Sequence, residues 1–209
     1  VFEKAGLPFI EPELRESAAI IEIAKNNSLP ILIEETDVKG VIHSHSTYSD
    51  GLHTLREMAE YTKSQGYEYL VITDHSKSAF YANGLKPDRV LEQMAEVDTL
   101  NQELAPFKIY KGIESDILND GSLDYDDELL AKFDLIIASV HSNLKMTEEK
   151  ANERLLGAIK NPFTTMLGHP TGRLLLSREG YPIDHKKIID ACAENNVAIE
   201  LNANPYRLD

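Results

Sequence analysis

The chain has 209 residues, 42% of them hydrophobic, which suits one domain with a sizeable core. Its 21 basic residues stand against 35 acidic ones, and the formal net charge of −14 argues against a free-standing binder of nucleic-acid backbone. No apolar run approaches the roughly 18 to 20 residues of a membrane span. The start, Val-Phe-Glu-Lys-Ala-Gly, lacks the apolar region of a signal peptide, and the single cysteine excludes a disulfide framework or a Cys-rich zinc site, so a cytoplasmic setting is expected.

In chain order, Glu13–Asn26 has helical spacing, with Leu14, Ala18, Ile21 and Ala24 apolar. Leu29–Ile33 is a short apolar segment that leads to an acidic turn. Residues 1–33 therefore read as a linker with an N-terminal helix, and residues 34–209 as the main domain. With no initiator methionine and a linker-like start, the chain is expected to be a fragment of something longer.

From Val41 onward strand and helix alternate. Strands are predicted at Val41–His43, Tyr69–Thr73, Lys108–Gly112, Leu135–Val140, Thr164–Gly168 and Val197–Leu201. Helices are predicted at Leu55–Gln65, Pro87–Leu104, Asp127–Phe133, Thr147–Lys160 and Asp184–Asn195. Thr54 and Thr147 are N-cap residues, Thr147 with only half a capping box because Lys150 stands where Glu would close it. Gly66 suits the left-handed position after the first of these helices. Cys192 lies between two alanines in the last helix and reads as core. Such alternation implies parallel strands with right-handed crossovers. All six strand ends carry polar side chains of functional type, the sixth being Asn202, and no glycine-rich phosphate loop follows the first strand. This favours a barrel over a doubly wound sheet.

The strand ends also carry the chemistry. In His43-Ser44-His45, residues i and i+2 share a face and can bind one metal. Ser49-Asp50-Gly51 adds an oxygen donor on the following loop. Thr73-Asp74-His75 ends a nearly continuous apolar strand, so its polar pair needs a reason to be there; His75 reads as a ligand and Asp74 as a group that orients a ligating imidazole. Glu114 is placed to bridge two cations, and His141 and His169 complete the set. One such residue is more often structural, but five histidines in register at strand ends are not explained as core. The donors are nitrogen and oxygen, which suits Mn, Fe or Zn. Clustered divalent ions would bring the pKa of a water toward about 7 and offset charge on a phosphate ester. Arg173, just past His169, is a candidate phosphate clamp. Lys145 is a weaker one, and Arg207 weaker still. Glu114, His141 and Arg173 are the candidate catalytic side chains. His53 and His185, beside helix starts, read as solvated.

These motifs, His43-x-His45 with Ser49-Asp50-Gly51, Thr73-Asp74-His75, Gly112-x-Glu114, Ser139-x-His141 and Gly168-His169-Pro170, resemble in kind and order those of the PHP (polymerase and histidinol phosphatase) superfamily. The Leu-Pro-Phe-Ile-Glu-Pro-Glu-Leu-Arg-Glu segment, His-Pro-Thr-Gly-Arg-Leu-Leu and the stretch from Glu200 to Asp209 are most similar to the C-terminal PHP domain of bacterial family X DNA polymerases. The resemblance implies a distorted (β/α)7 barrel with two to three divalent ions. It assigns His43, His45 and Glu114 to one metal, Glu114, His141 and His169 to a second, and Asp50 and His75 to a third. The family's last motif, Asp-x-His on a seventh strand, is not found, so partial metal occupancy is expected, with either self-association or a gap in the barrel beside the first strand.

The function implied is a metal-dependent phosphoesterase acting at DNA 3′ ends through an upstream polymerase domain. A small-molecule phosphatase of histidinol-phosphatase type is the alternative, and a non-catalytic regulatory domain of a polymerase comes third. No membrane partner is expected.

Overall fold

A computed structural model describes residues 1–209. They fall into two units, Val1–Val38 and Lys39–Asp209. In the first unit the predicted helix is interrupted. A 3-10 turn, Pro12–Leu14, is followed by helix α1, Ala19–Lys25. Two local captures explain the break. The Arg15 guanidinium donates to Ile10 O at 2.9 and 2.7 Å, and Ser17 Oγ accepts the Ala19 N–H, so that the helix starts afresh.

The second unit contains strands β1 (Gly40–Ser44), β2 (Tyr69–Ile72), β3 (Lys108–Asp116), β4 (Leu135–Ser139), β5 (Met166–Leu167) and β6 (Ala198–Ile199). Between them lie helices α2 (Leu55–Ser64), α3 (Pro87–Glu103), α4 (Asp127–Leu130), α5 (Glu148–Ile159) and α6 (His185–Glu194). All strand pairs are parallel and the sheet order is the chain order, β1 to β6. The sheet curls, because His43 on β1 reaches Glu200 just beyond β6. The architecture is a curled (β/α) half-barrel with six strands.

Strand β3 shows how the curl is made. Its first half, Tyr69↔Lys108 to Ile72↔Lys111, pairs with β2, and its second half, Gly112↔Leu135 to Asp116↔Ser139, pairs with β4. That stagger is the shear a barrel wall needs. It carries β3 four residues past the predicted end at Gly112, so Glu114 lies inside the strand. The last two strands are shorter than predicted. The backbone turns away at His169, where φ is 24°, and the following proline has no N–H to extend the ladder. Helix α4 also ends early, as Lys132 N and Phe133 N bond to Leu129 O and Leu130 O in tighter i to i+3 turns.

The helices are closed by the residues the sequence offers. Thr54 and Glu57 form a full capping box on α2, with bonds of 3.2 and 2.8 Å. Thr147 caps α5 through Lys150 N at 3.3 Å, and Asp184 caps α6 through Lys187 N at 3.0 Å. One apolar core joins Leu55 and Ala59 of α2, Leu70 and Ile72 of β2, Val97 and Leu100 of α3, Phe107, and Ile109 of β3. A second, larger one joins the later strands to α5 and α6 and includes Cys192, which is 1% exposed. Each large apolar side chain so buried stabilises the fold by about 1.5 to 3 kcal/mol before entropy is counted. No helix is long and apolar enough to cross a membrane.

Candidate metal centre

The centre is organised around one carboxylate. Glu114 is 1% exposed, and five imidazoles face it. His43 Nε2, His141 Nε2 and His169 Nε2 lie 3.0, 3.1 and 2.9 Å from Oε1, and His75 Nδ1 and His45 Nε2 lie 3.1 and 3.5 Å from Oε2. Three ring nitrogens thus converge on a single oxygen that has two lone pairs. Protons alone satisfy this arrangement poorly.

Each ligand-type residue arrives by a local device. Strand β1 bulges between Val41 and Ser44, and His43 takes a left-handed φ of 61°. Simple alternation along a flat strand is therefore not what aims His43 and His45; the bulge does. A non-glycine residue held at positive φ stores strain that such sites tolerate because the surroundings over-determine it. Gly51 is required by close approach, since a Cβ there would sit 2.0 Å from His45 O. That tight turn brings Asp50, with a half-exposed side chain, to 3.5 Å from His45 Nδ1 and 3.8 Å from His75 Nε2.

The centre gathers all seven sequence-predicted ligands, His43, His45, Asp50, His75, Glu114, His141 and His169. By proximity they form three groups: His43 with Glu114 and His169; His45 with Asp50 and His75; and His75 with Glu114 and His141. This grouping pairs His43 with His169 and His45 with Asp50, a partition different from the one the resemblance implies. The curl of the sheet is the reason, since it brings the end of β5 against β1.

Asp74 behaves differently from the expectation. It hydrogen-bonds to no imidazole. Its carboxylate accepts from Ser46 N at 2.8 Å, Ser46 Oγ at 2.7 Å, Ser49 N at 3.2 Å, Ser49 Oγ, and Gln93 Nε2 at 2.6 Å. Alternation along the chain turns Asp74 away from the side that His75 faces. It fixes the loop that carries Asp50.

Two carboxylates that the sequence reading did not single out back the imidazoles. Asp116 hydrogen-bonds to His141 Nδ1, and Glu200 to His43 Nδ1. Glu200 also accepts from His169 N at 2.9 Å and Asn202 Nδ2 at 3.2 Å, which places Asn202 on the rim. Asp116 was accessible to the period-2 rule, being two residues beyond Glu114. Glu200, on the end of β6, carried the same signal as the other strand ends. Arg154, 2% exposed on α5, donates to Ile117 O at 3.0 Å, Leu118 O at 2.9 Å and Ser142 O at 2.9 Å. It ties together the segments that follow Asp116 and His141.

Electrostatics divide the histidines. For His43 burial works toward a low pKa, but bonds to Glu114 and Glu200 outweigh it and hold the ring at about 10. In His141, too, burial is outweighed, here by Glu114 and Asp116, giving about 9. Burial prevails at His75, which falls to about 4, and it lowers His45 as well. Burial alone would raise the Glu114 carboxyl, but His141, His169 and His43 hold it well below the usual carboxylate range. Nδ1 of His45 and His169 is buried without a hydrogen-bond partner, and His75 Nδ1, 3.1 Å from Glu114 Oε2, is not aligned for one. Unpartnered buried nitrogens, over-subscribed carboxylate oxygens and an all nitrogen and oxygen donor set fit divalent metal ions.

The cluster lies at the base of a cavity of about 510 Å³, whose walls include Tyr81, Asn202, Asn204 and Arg207. Arg173 is not on this wall. It lines a separate cavity of about 560 Å³ under the 173–180 loop, and its Nε donates to Arg207 O at 3.1 Å. The rim's cationic position belongs to Arg207. Lys145 is not on the rim either, and His53 and His185 are exposed.

Fold and rim together define a (β/α) half-barrel protein with a histidine and carboxylate centre of metal-ligand type. Residues 42–204 match the family model of the PHP domain, and the chain belongs to that family. It is 48% identical over 204 residues to the DNA polymerase/3′-5′ exonuclease PolX of Bacillus subtilis (strain 168), a match that covers 98% of this chain and 35% of the relative. A probable phosphatase of Acetivibrio thermocellus is 29% identical over 168 residues, covering 78% of the chain and 65% of the relative. The chain thus spans about a third of the first relative and under two thirds of the second. The crystal structure of histidinol phosphate phosphatase from Lactococcus lactis, in complex with zinc, L-histidinol and phosphate, shares the fold. Its TM-score is 0.52 at 20% identity, covering 78% of this chain and 73% of that one.

Proposed function

We propose that this chain is a divalent-metal-dependent phosphoesterase that acts on the 3′ ends of DNA. The observation that carries the chemistry is the convergence of five imidazoles, Glu114 and Asp50 at the base of one cavity. Bound divalent ions would supply a water of pKa near about 7 and offset charge on the phosphoryl oxygens. His43, His45, Asp50, His75, Glu114, His141 and His169 would hold two to three of them, with Mn, Zn or Fe as the metal. Glu200 and Asp116 fix the orientation and tautomer of His43 and His141, so that Nε2 of each points to the centre. Asp74 holds the loop that presents Asp50.

Two observations support DNA ends as the substrate. The likeness to the Bacillus polymerase and exonuclease covers 98% of the chain and therefore extends beyond the PHP-matched residues 42–204. In this reading residues 1–33 would connect to an upstream polymerase unit, which would hold the DNA that a chain of net charge −14 is not expected to hold by itself. The recess of about 510 Å³ also suits a strand end more than the middle of a duplex.

The second reading, a small phosphate ester as substrate, is favoured by the probable phosphatase relative and the histidinol phosphate phosphatase neighbour. The test presents the Mn²⁺-loaded chain with 3′-labelled single-stranded DNA and, in parallel, with histidinol phosphate. Release of labelled nucleotide is the expected result. Turnover of the small ester with intact DNA would select the second reading, and turnover of neither would leave a non-catalytic domain.

A further inference from the structure

The segment after β6 is a fixed hook. Asn202 Oδ1 accepts from Asn204 N at 3.1 Å, and Asn204 Oδ1 from Tyr206 N at 2.9 Å. Asn204 O takes the N–H groups of Arg207 and Leu208 at 2.8 and 3.2 Å. The Asp209 carboxylate accepts from Thr171 Oγ1 at 2.6 Å and Arg173 N at 3.0 Å, and Arg173 Nε holds Arg207 O. These bonds seat Arg207 on the wall of the metal-type cavity, where it is the one lysine or arginine among the lining residues.

Its guanidinium is unusual in this chain. Each of the other six arginines donates a side-chain hydrogen bond within the chain, whereas the Arg207 guanidinium donates none and makes no ion pair, and its Nη1 is kept from solvent without a partner. A buried N–H without an acceptor is costly, and an arginine held rigidly beside a carboxylate-rich centre without pairing to it awaits an acceptor from outside. The guanidinium fork matches tetrahedral oxyanions, to which it gives two parallel bonds. Arg173 and Arg178 are already committed, to Arg207 O and to Gly172 O.

We propose that Arg207 is the side chain that binds a non-bridging oxygen of the substrate's phosphoryl group, and so sets which oxygens face the metal ligands. The inference rests on the phosphoesterase reading for the identity of the anion. Because the hook is tied before substrate arrives, little side-chain freedom is lost on binding.

The test compares wild type, Arg207→Met and Arg207→Lys, each loaded with Mn²⁺. It reads metal content, inorganic phosphate binding by calorimetry, and KM and kcat for 4-nitrophenyl phosphate. For Arg207→Met, the phosphate Kd and the KM should rise about 10- to 100-fold with unchanged metal content, the loss typical of a hydrogen bond to a charged group. Arg207→Lys should lie between the two. A phosphate Kd within twofold of wild type in Arg207→Met overturns the proposal. Should that variant melt early, Arg207→Lys decides: several-fold weaker phosphate binding supports the proposal and unchanged binding overturns it. Wild type that binds phosphate but cleaves no ester removes the phosphoesterase reading and leaves Arg207 to be judged on the phosphate Kd. Ester cleavage with unchanged Kd and KM in the variants removes Arg207 alone, and wild type that does neither removes both.

Discussion

The centre has two regions that use the same residue type in opposite ways. In one, His43 and His141 each hold a carboxylate on Nδ1, Glu200 and Asp116 respectively. In the other, no carboxylate backs either ring closely: His45 Nδ1 has no hydrogen-bond partner and lies 3.5 Å from the half-exposed Asp50, while His75 turns Nδ1 to Glu114 and leaves Nε2 3.8 Å from the same Asp50. The first pair is held protonated up to about 10 and about 9; in the second, burial keeps His75 down to about 4 and His45 below its ordinary value. Both regions meet at Glu114. The backed region is thus pre-oriented for metal by outer hydrogen bonds, while the open region is oriented mainly by packing and by a loop that Asp74 holds.

The comparison breaks most completely at the shared residue. Glu114→Gln keeps the shape but removes the charge that all five imidazoles face. Metal should be lost from both regions, with a larger effect than the roughly 10- to 100-fold in affinity that loss of an outer carboxylate costs. Elemental analysis after gel filtration reads this. Metal content equal to wild type would mean that Glu114 is not common to the two regions.

A smaller effect separates the regions. Asp116→Asn and Glu200→Gln should each weaken metal binding roughly 10- to 100-fold. Asp50→Asn, at a half-exposed position, should weaken it less and leave the tighter sites filled. Competition with a chelator of graded strength measures all three. An Asp50→Asn loss equal to the Asp116→Asn loss would erase the distinction.

The smallest effect is a proton count. At pH 7.5 the metal-free chain carries protons on His43 and His141, whose pKa values lie above that pH, while His45 and His75 are neutral. Metal binding must displace the first pair of protons, so about two should be released, and apparent affinity should rise with pH until about 9 to 10. Calorimetry in buffers of different ionisation enthalpy gives the number. Release of no protons would show that the backing carboxylates do not hold the rings charged.

Much of this was legible in the sequence because parallel strands share one rim. A ligand-type residue at the end of each apolar run is enough to name His43, His45, His75, Glu114, His141 and His169 without knowing any distance. The alternation of strand and helix implied parallel strands with right-handed crossovers, but it left a doubly wound sheet open until the polar strand ends favoured a barrel. Asp74 and Arg173 were harder. A sequence places them near the rim but does not say which way each points. Asp74 turns to the Ser46–Ser49 loop, and Arg173 faces a different cavity from Arg207.

By itself the sequence determined the chemistry available: nitrogen and oxygen donors, their order, and the strand ends that carry them. Tertiary structure decided who partners whom. The curl of the sheet brings β1 to the end of β6, which gives His43 its carboxylate and sets His169 beside it. The bulge at His43 and the stagger of β3 decide which atoms reach Glu114. The physical reason is range. Periodicity and capping are local and are written in neighbouring residues, whereas contacts such as His43 with Glu200 join residues 157 positions apart and depend on the summed twist and shear of every strand between them.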